Sequence, residues 1–157
     1  MAAEKAASPH LQSLAKLMAA SQNGEKQILE NWWTSWFSFP MQICSAEERA
    51  TMPGLLGATQ IEQLRVAPST NFDALFVKLM TMHHAGAVKM ADDELRNGSD
   101  PRLRVMAQAI RHEQQGEIAL MNCTGGGYAV LLAVRNMFAD NVNKARGDLP
   151  WRASCQR

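Results

Sequence analysis

No apolar run in this chain approaches the roughly 20 residues that a membrane-spanning helix needs. No segment keeps the apolar–polar alternation of a half-buried strand. Neither sign of charge dominates: 16 Lys and Arg stand against 15 Asp and Glu, for a net charge of +1 and a pI near 7.8. That balance supplies no basic field for nucleic acid. Cysteine is sparse. Cys44, Cys123 and Cys155 form neither a disulfide framework nor a zinc spacing. Free thiols are the expected state, with a Cys44–Cys123 bridge in an oxidising compartment as the lesser alternative. The opening segment MAAEKAASPH has no hydrophobic stretch, so no signal peptide is read there, and an exported protein would be present in mature form.

The motifs of catalysis are missing too. No histidine has a glutamate three residues before it, which removes the Glu-x-x-His pair of a di-iron bundle. His112-Glu113 has no second histidine at the spacing of a zinc protease, and Gly125-Gly126-Gly127 is a bare triplet that follows no strand. The chain is therefore not read as an enzyme.

What is present is helix, organised around Asn71–Asn122. Thr70 or Asn71 can cap a first helix, and Asp73 places a negative charge in its first turn. Asn97-Gly98 is expected to end it, with the glycine left-handed. Ser99 or Asp100 then caps a second helix that has Pro101 at its first position. At about 100° per residue, Phe72, Phe76, Leu79, His83, Gly86 and Met90 share one stripe of the first helix. Leu103, Ala107, Ile110, Gln114, Glu117, Ile118 and Met121 share one on the second. The apolar seam thus carries a histidine, an amide and a carboxylate. Each costs roughly 1–3 kcal/mol when buried without a partner, so a hydrogen-bond network or a ligand is expected there. His84 and Met80 flank the first stripe on the side of Asp73, and His112 points away from the second.

Upstream, Ser8-Pro9 opens another helix, and residues 9–25 match 101–117 at a constant offset of 92. Pro9, Leu11, Ala15, Gln22, Gly24 and Glu25 meet Pro101, Leu103, Ala107, Gln114, Gly116 and Glu117. In-register identity without gaps suggests an internal duplication. Residues 8–37 form a partial first copy and 70–122 a second; the first lacks a histidine-bearing partner helix. That truncation leaves room for a homodimer in which a second chain supplies the missing helix. Pro40, Pro53, Gly54, Gly57 and Pro68 break the connection into loops, a helical turn at 46–51 and a short helix at 58–66. A further amphipathic helix is expected from Tyr128 to about residue 145. The chain reads as one all-α domain over residues 8–147, an antiparallel helix bundle, with a disordered lead-in at 1–7 and an irregular tail at 148–157.

The second copy carries a specific pattern: Phe72, Asp73, Phe76, Met80, His83, His84, Gly86, Ala87, Met90 and Ala91, then Gly98, Asp100, Pro101, Leu103, Arg104, Ala107, Ile110, Gln114, Glu117, Ile118 and Met121. In this it resembles a bacterial family of His/Met-rich helical bundles of unknown function that includes CopM-like periplasmic copper-binding proteins. Trp32, Trp33, Trp36 and the Met52-Pro53-Gly54 loop fit the arrangement of two-copy members. The resemblance implies a ferritin-like four-helix fold, export to the periplasm or beyond, and copper sequestration or homeostasis. It implies Met80, His83, His84, Met90 and Met121 as metal ligands, with Asp73, Gln114 and Glu117 behind them. Thioether and imidazole donors suit Cu(I). The competing reading is a metal-free structural or partner-binding bundle, its surface the tryptophans at 32–36.

Overall fold

A computed structural model describes residues 1–122, and these are all-helical, with no strand among them. Three long helices, α2 (Pro9–Trp36), α5 (Ser69–Asn97) and α6 (Pro101–Asn122), make the body. Three short ones, α1 (Ala2–Lys5), α3 (Ala46–Thr51) and α4 (Ala58–Val66), decorate it. The expected helix beyond Tyr128, the tail and the pairing of Cys123 lie outside the described residues; Cys44 is free and half-buried.

Local chemistry sets most helix ends. The Ser8 hydroxyl accepts from the Leu11 amide, with Pro9 at the first position of α2. The Asp100 carboxylate accepts from the amides of Arg102 (2.8 Å) and Leu103 (3.3 Å), capping α6 as expected. Ser45 and Glu48 form a reciprocal capping box on α3. Two expectations for α5 fail. Neither Thr70 nor Asn71 caps it: the helix already starts at Ser69, behind Pro68, which holds an extended conformation and offers no side-chain cap. Nor is Gly98 left-handed, for its φ of −71° and ψ of 146° are extended. The end of α5 is closed by Arg104 instead, whose guanidinium donates to the carbonyls of Leu95 (2.7 Å) and Gly98 (3.0 Å).

α6 runs back along α5, as Asp92–Arg111 (3.5 Å) and Leu95–Arg104 pairings show. α2 is parallel to α5 and antiparallel to α6: its start packs at the Phe72–Met121 end, and at its far end the Arg102 guanidinium sits 4.4 Å from the Trp36 ring centroid. The apolar core lies at one end of this bundle. Leu11, Leu14 and Met18 of α2 meet Leu64 of α4, Phe72, Phe76 and Leu79 of α5, and Met121 of α6. Each large side chain buried there contributes roughly 1.5–3 kcal/mol.

The segment before α2 packs against this core, with Ala6 buried in it. Asp73 accepts from the amides of Ala7 and Ser8 at 2.9 Å each. The Lys5 ammonium donates to the carbonyls of Leu64 (3.3 Å) and Arg65 and lies 5.5 Å from the Phe72 ring centroid. A helix of four residues has no stability of its own; these tertiary contacts supply it.

Gly24 sits mid-helix in α2, and a Cβ built there meets nothing within 4 Å. Gly24→Ala is therefore expected to raise stability by about 1 kcal/mol, the helix-propensity difference. A urea midpoint that stays put or falls would contradict this account of α2.

Candidate functional site

The two adjacent histidines occupy different environments. His84 is fully buried, and its Nε2 lies 2.7 Å from Oε2 of Glu117, itself buried. The sequence pattern assigns the interior to His83 and sets His84 on the flank toward Asp73; in the structure His84 is the fully buried one and its partner is Glu117. The stripe from Phe72 to Leu79 faces α2 and the core. Further along, the buried residues of α5 become His84, Gly86 and Ala91, of which only Gly86 lies on the predicted stripe. His84 lies about 100° round the helix from His83. One periodic stripe describes a helix with one neighbour; α5 has several, among them α6, α4 and α1, at different azimuths. Asp73 is occupied elsewhere, on the amides at the start of α2. Gln114 and Glu117 are buried in the seam as expected. Nδ1 of His84, Oε1 of Glu117 and Oε1 of Gln114 have no protein partner. His112 is half-buried rather than solvated.

His83 is half-buried, with its Nδ1 3.0 Å from the carbonyl oxygen of Gly54. A carbonyl only accepts, so Nδ1 carries a proton, and in the neutral ring Nε2 is then the nitrogen with the lone pair. The loop bearing that carbonyl lies backbone-to-backbone on α5. A Cβ on Gly86 would stand 2.1 Å from the Pro53 oxygen. A Cβ on Gly54, whose φ is +70°, would stand 2.6 Å from the Met82 oxygen.

Beside His83 opens a cleft of about 390 Å³ between α2, α5 and α6. Gln22 and Glu25 of α2, His83, Met90 and Glu94 of α5, and Met106 and Gln114 of α6 supply its polar and thioether groups; Leu29, Leu103 and Ile110 are among its apolar walls. The implied ligand set is thus divided. His83 and Met90 share the cleft, Met90 at its exposed rim. Met121 is buried in the apolar core and Met80 packs partly buried against it. His84 faces Glu117. Met106 joins the cleft although its spacing reads as ordinary core packing; its position one turn from Leu103 and Ile110 was the available signal. Among the described residues no three His, Cys, Asp or Glu side chains are placed to hold a metal ion, so the thioethers distinguish this cleft. At the far end of α2 the aromatic residues fold on one another. Trp33 donates from its indole nitrogen to the Phe39 carbonyl at 2.9 Å and lies 4.5 Å from Phe37, centroid to centroid.

Glu25 lines the cleft and has its carboxyl pushed up to about 7, by burial first and then by Glu113 and Glu117 across on α6. A hydrogen bond between the Glu25 and Glu113 carboxyls favours the protonated form.

A model of the family described as "Domain of unknown function (DUF305)" matches residues 1–124. No curated protein and no solved structure matches the chain.

Two outcomes are expected. Because the Glu25 pKa is raised on folding, the native state holds its proton more tightly than the unfolded chain does. The associated stability is full below pH 4.5 and is lost as pH rises through about 7. Glu25→Gln should remove that slope; thermal melts from pH 4 to 8 that fall in parallel for both proteins would refute it. Removing one partner of the buried His84–Glu117 pair, as in Glu117→Ala, should cost about 3–5 kcal/mol. Replacing both by apolar residues, His84→Leu with Glu117→Met, should recover much of the loss. Chemical denaturation of the three variants decides it, and a double variant weaker than the single would be the contrary result.

Proposed function

The chain belongs to the DUF305 family, whose function is unknown, and within that family we propose that the cleft between α2, α5 and α6 binds a cuprous ion and that the protein sequesters or carries copper. The observation behind this reading is the gathering of one imidazole and two thioethers, His83, Met90 and Met106, on a single cleft. Thioether sulfur and neutral imidazole are donors that favour Cu(I) over harder divalent ions. His83 offers Nε2 because Nδ1 is committed to Gly54. A metal-binding histidine commonly has its other ring nitrogen held in this way by a carbonyl or carboxylate. Met90 and Met106 would supply the sulfurs, and the apolar walls of Leu29, Leu103 and Ile110 would shield the ion from water. Bound there, copper would be held by donors that favour its reduced state.

The resemblance to CopM-like periplasmic proteins belongs to this reading, with export, the ferritin-like bundle and the duplication. The offset of 92 gains support from where its residues fall. Gln22 and its counterpart Gln114 line the same cleft, and Glu25 acts on its counterpart Glu117 across it. Met80, Met121 and His84 serve here as packing rather than as ligands.

Titration of the reduced, full-length protein with Cu(I) against a competing chromogenic chelator tests the proposal. One equivalent is expected, with affinity falling at least about tenfold in His83→Ala and in Met90→Leu and holding in Met121→Leu. A His83→Ala, Met90→Leu double variant that binds Cu(I) like the parent would overturn it. Copper that left the melting temperature unchanged would favour a partner-binding bundle instead, since a ligand of the folded state must raise its stability. The apolar surface at Phe37, Phe39 and Ile43, each at least 41% exposed, would then be the binding face.

A further inference from the structure

We infer that the Met52–Pro53–Gly54 loop is a positioning element for His83: it selects the ring tautomer that leaves Nε2 free, and it does so because position 86 lacks a side chain. The inference rests on the copper reading above only for its consequence, not for its geometry.

In water a neutral histidine favours the tautomer with the proton on Nε2, which would leave Nδ1, close to the helix backbone, as the lone-pair nitrogen. The Gly54 carbonyl, 3.0 Å from Nδ1, reverses this by accepting a hydrogen bond that only Nδ1–H can donate. The carbonyl is in place because the loop backbone rests directly on α5. A side chain at position 86 would begin 2.1 Å from the Pro53 oxygen, 2.4 Å from the Pro53 carbonyl carbon and 2.7 Å from the Gly54 Cα. Neighbours that close to a Cβ are backbone atoms, which cannot rotate aside as a flexible side chain can. Gly54 has the matching requirement. Its φ of +70° suits glycine, and a Cβ there would lie 2.6 Å from the Met82 oxygen and 2.9 Å from the His83 oxygen. Two glycines 32 positions apart thus face each other, and His83 projects from the turn of α5 between Met82 and Gly86 that the loop covers. The loop does nothing for His84, whose Nε2 is fixed by Glu117 on α6.

Long-range ¹⁵N–¹H correlation spectra of the histidine rings in the metal-free protein test this directly. His83 should show the Nδ1–H tautomer in the parent. In Gly86→Ala the added methyl displaces the loop, so His83 should revert to Nε2–H while helix content is retained. Cu(I) affinity should fall by about 10- to 100-fold in that variant, the usual loss when a partner behind a metal-binding histidine is removed. A parent protein with His83 protonated on Nε2 overturns the inference without any variant, and so does a folded Gly86→Ala protein that keeps the Nδ1–H form. A tautomer that switches in Gly86→Ala with unchanged Cu(I) affinity upholds the loop's hold on the ring and removes His83 from the copper reading.

Discussion

The hydrogen bond between His84 and Glu117 governs how α5 and α6 face each other. Both groups are buried, so a slip of either helix by one residue would leave a ring nitrogen and a carboxylate without partners. Each would cost roughly 1–3 kcal/mol, which is large beside the roughly 5–15 kcal/mol by which a whole domain is stable. The bond therefore fixes both the rotation and the register of the pair. Once it turns His84 toward α6, His83 must point about 100° away, toward the Gly54 loop and the cleft.

From this follows a bundle that changes character along its length. At the start of α5, Phe72 and Phe76 are enclosed by α2, α4 and the end of α6, and the interior is hydrocarbon. One or two turns on, the interior is a polar layer of His84, Gln114 and Glu117, several of whose atoms have no protein partner. Beyond it the three long helices leave an open cleft with thioethers on its walls. The layer ties α5 to α6 by a hydrogen bond and α6 to α2 through the carboxyls of Glu113 and Glu25. The second tie holds while the Glu25 carboxyl, raised to about 7 by burial and by Glu113, keeps its proton.

The segment from residue 37 to residue 57, which includes α3, is more than a connection. Proline and glycine make it irregular, and irregular backbone exposes carbonyls that a helix would have used internally. The structure turns one of those carbonyls, that of Gly54, onto a histidine of the helix it crosses. Contact this close between two backbones is available only where both lack a Cβ, which gives Gly54 and Gly86 a shared reason.

The helices themselves were legible in the chain, because their signals are local. Ser8-Pro9 and Asp100-Pro101 start them, the turn at 46–51 and the helix at 58–66 fall where read, and the 3.6-residue rhythm marks Phe72, Phe76, Leu79, Ala107, Gln114, Glu117 and Met121 as inward. That a histidine opposes an amide and a carboxylate in the seam could also be read from residue types alone. Which histidine does so could not, because periodicity describes a face and says nothing of how many neighbours share it. Nor could the sequence show that Asp73 holds the first residues, that Met106 rather than Met121 lines the cleft, or that a carbonyl 29 residues away sets the protonated nitrogen of His83. Propensity and capping act over a single turn and are written in the order of residues. The direction in which a side chain finds its partner depends on where distant segments come to rest, and only the packed chain decides that.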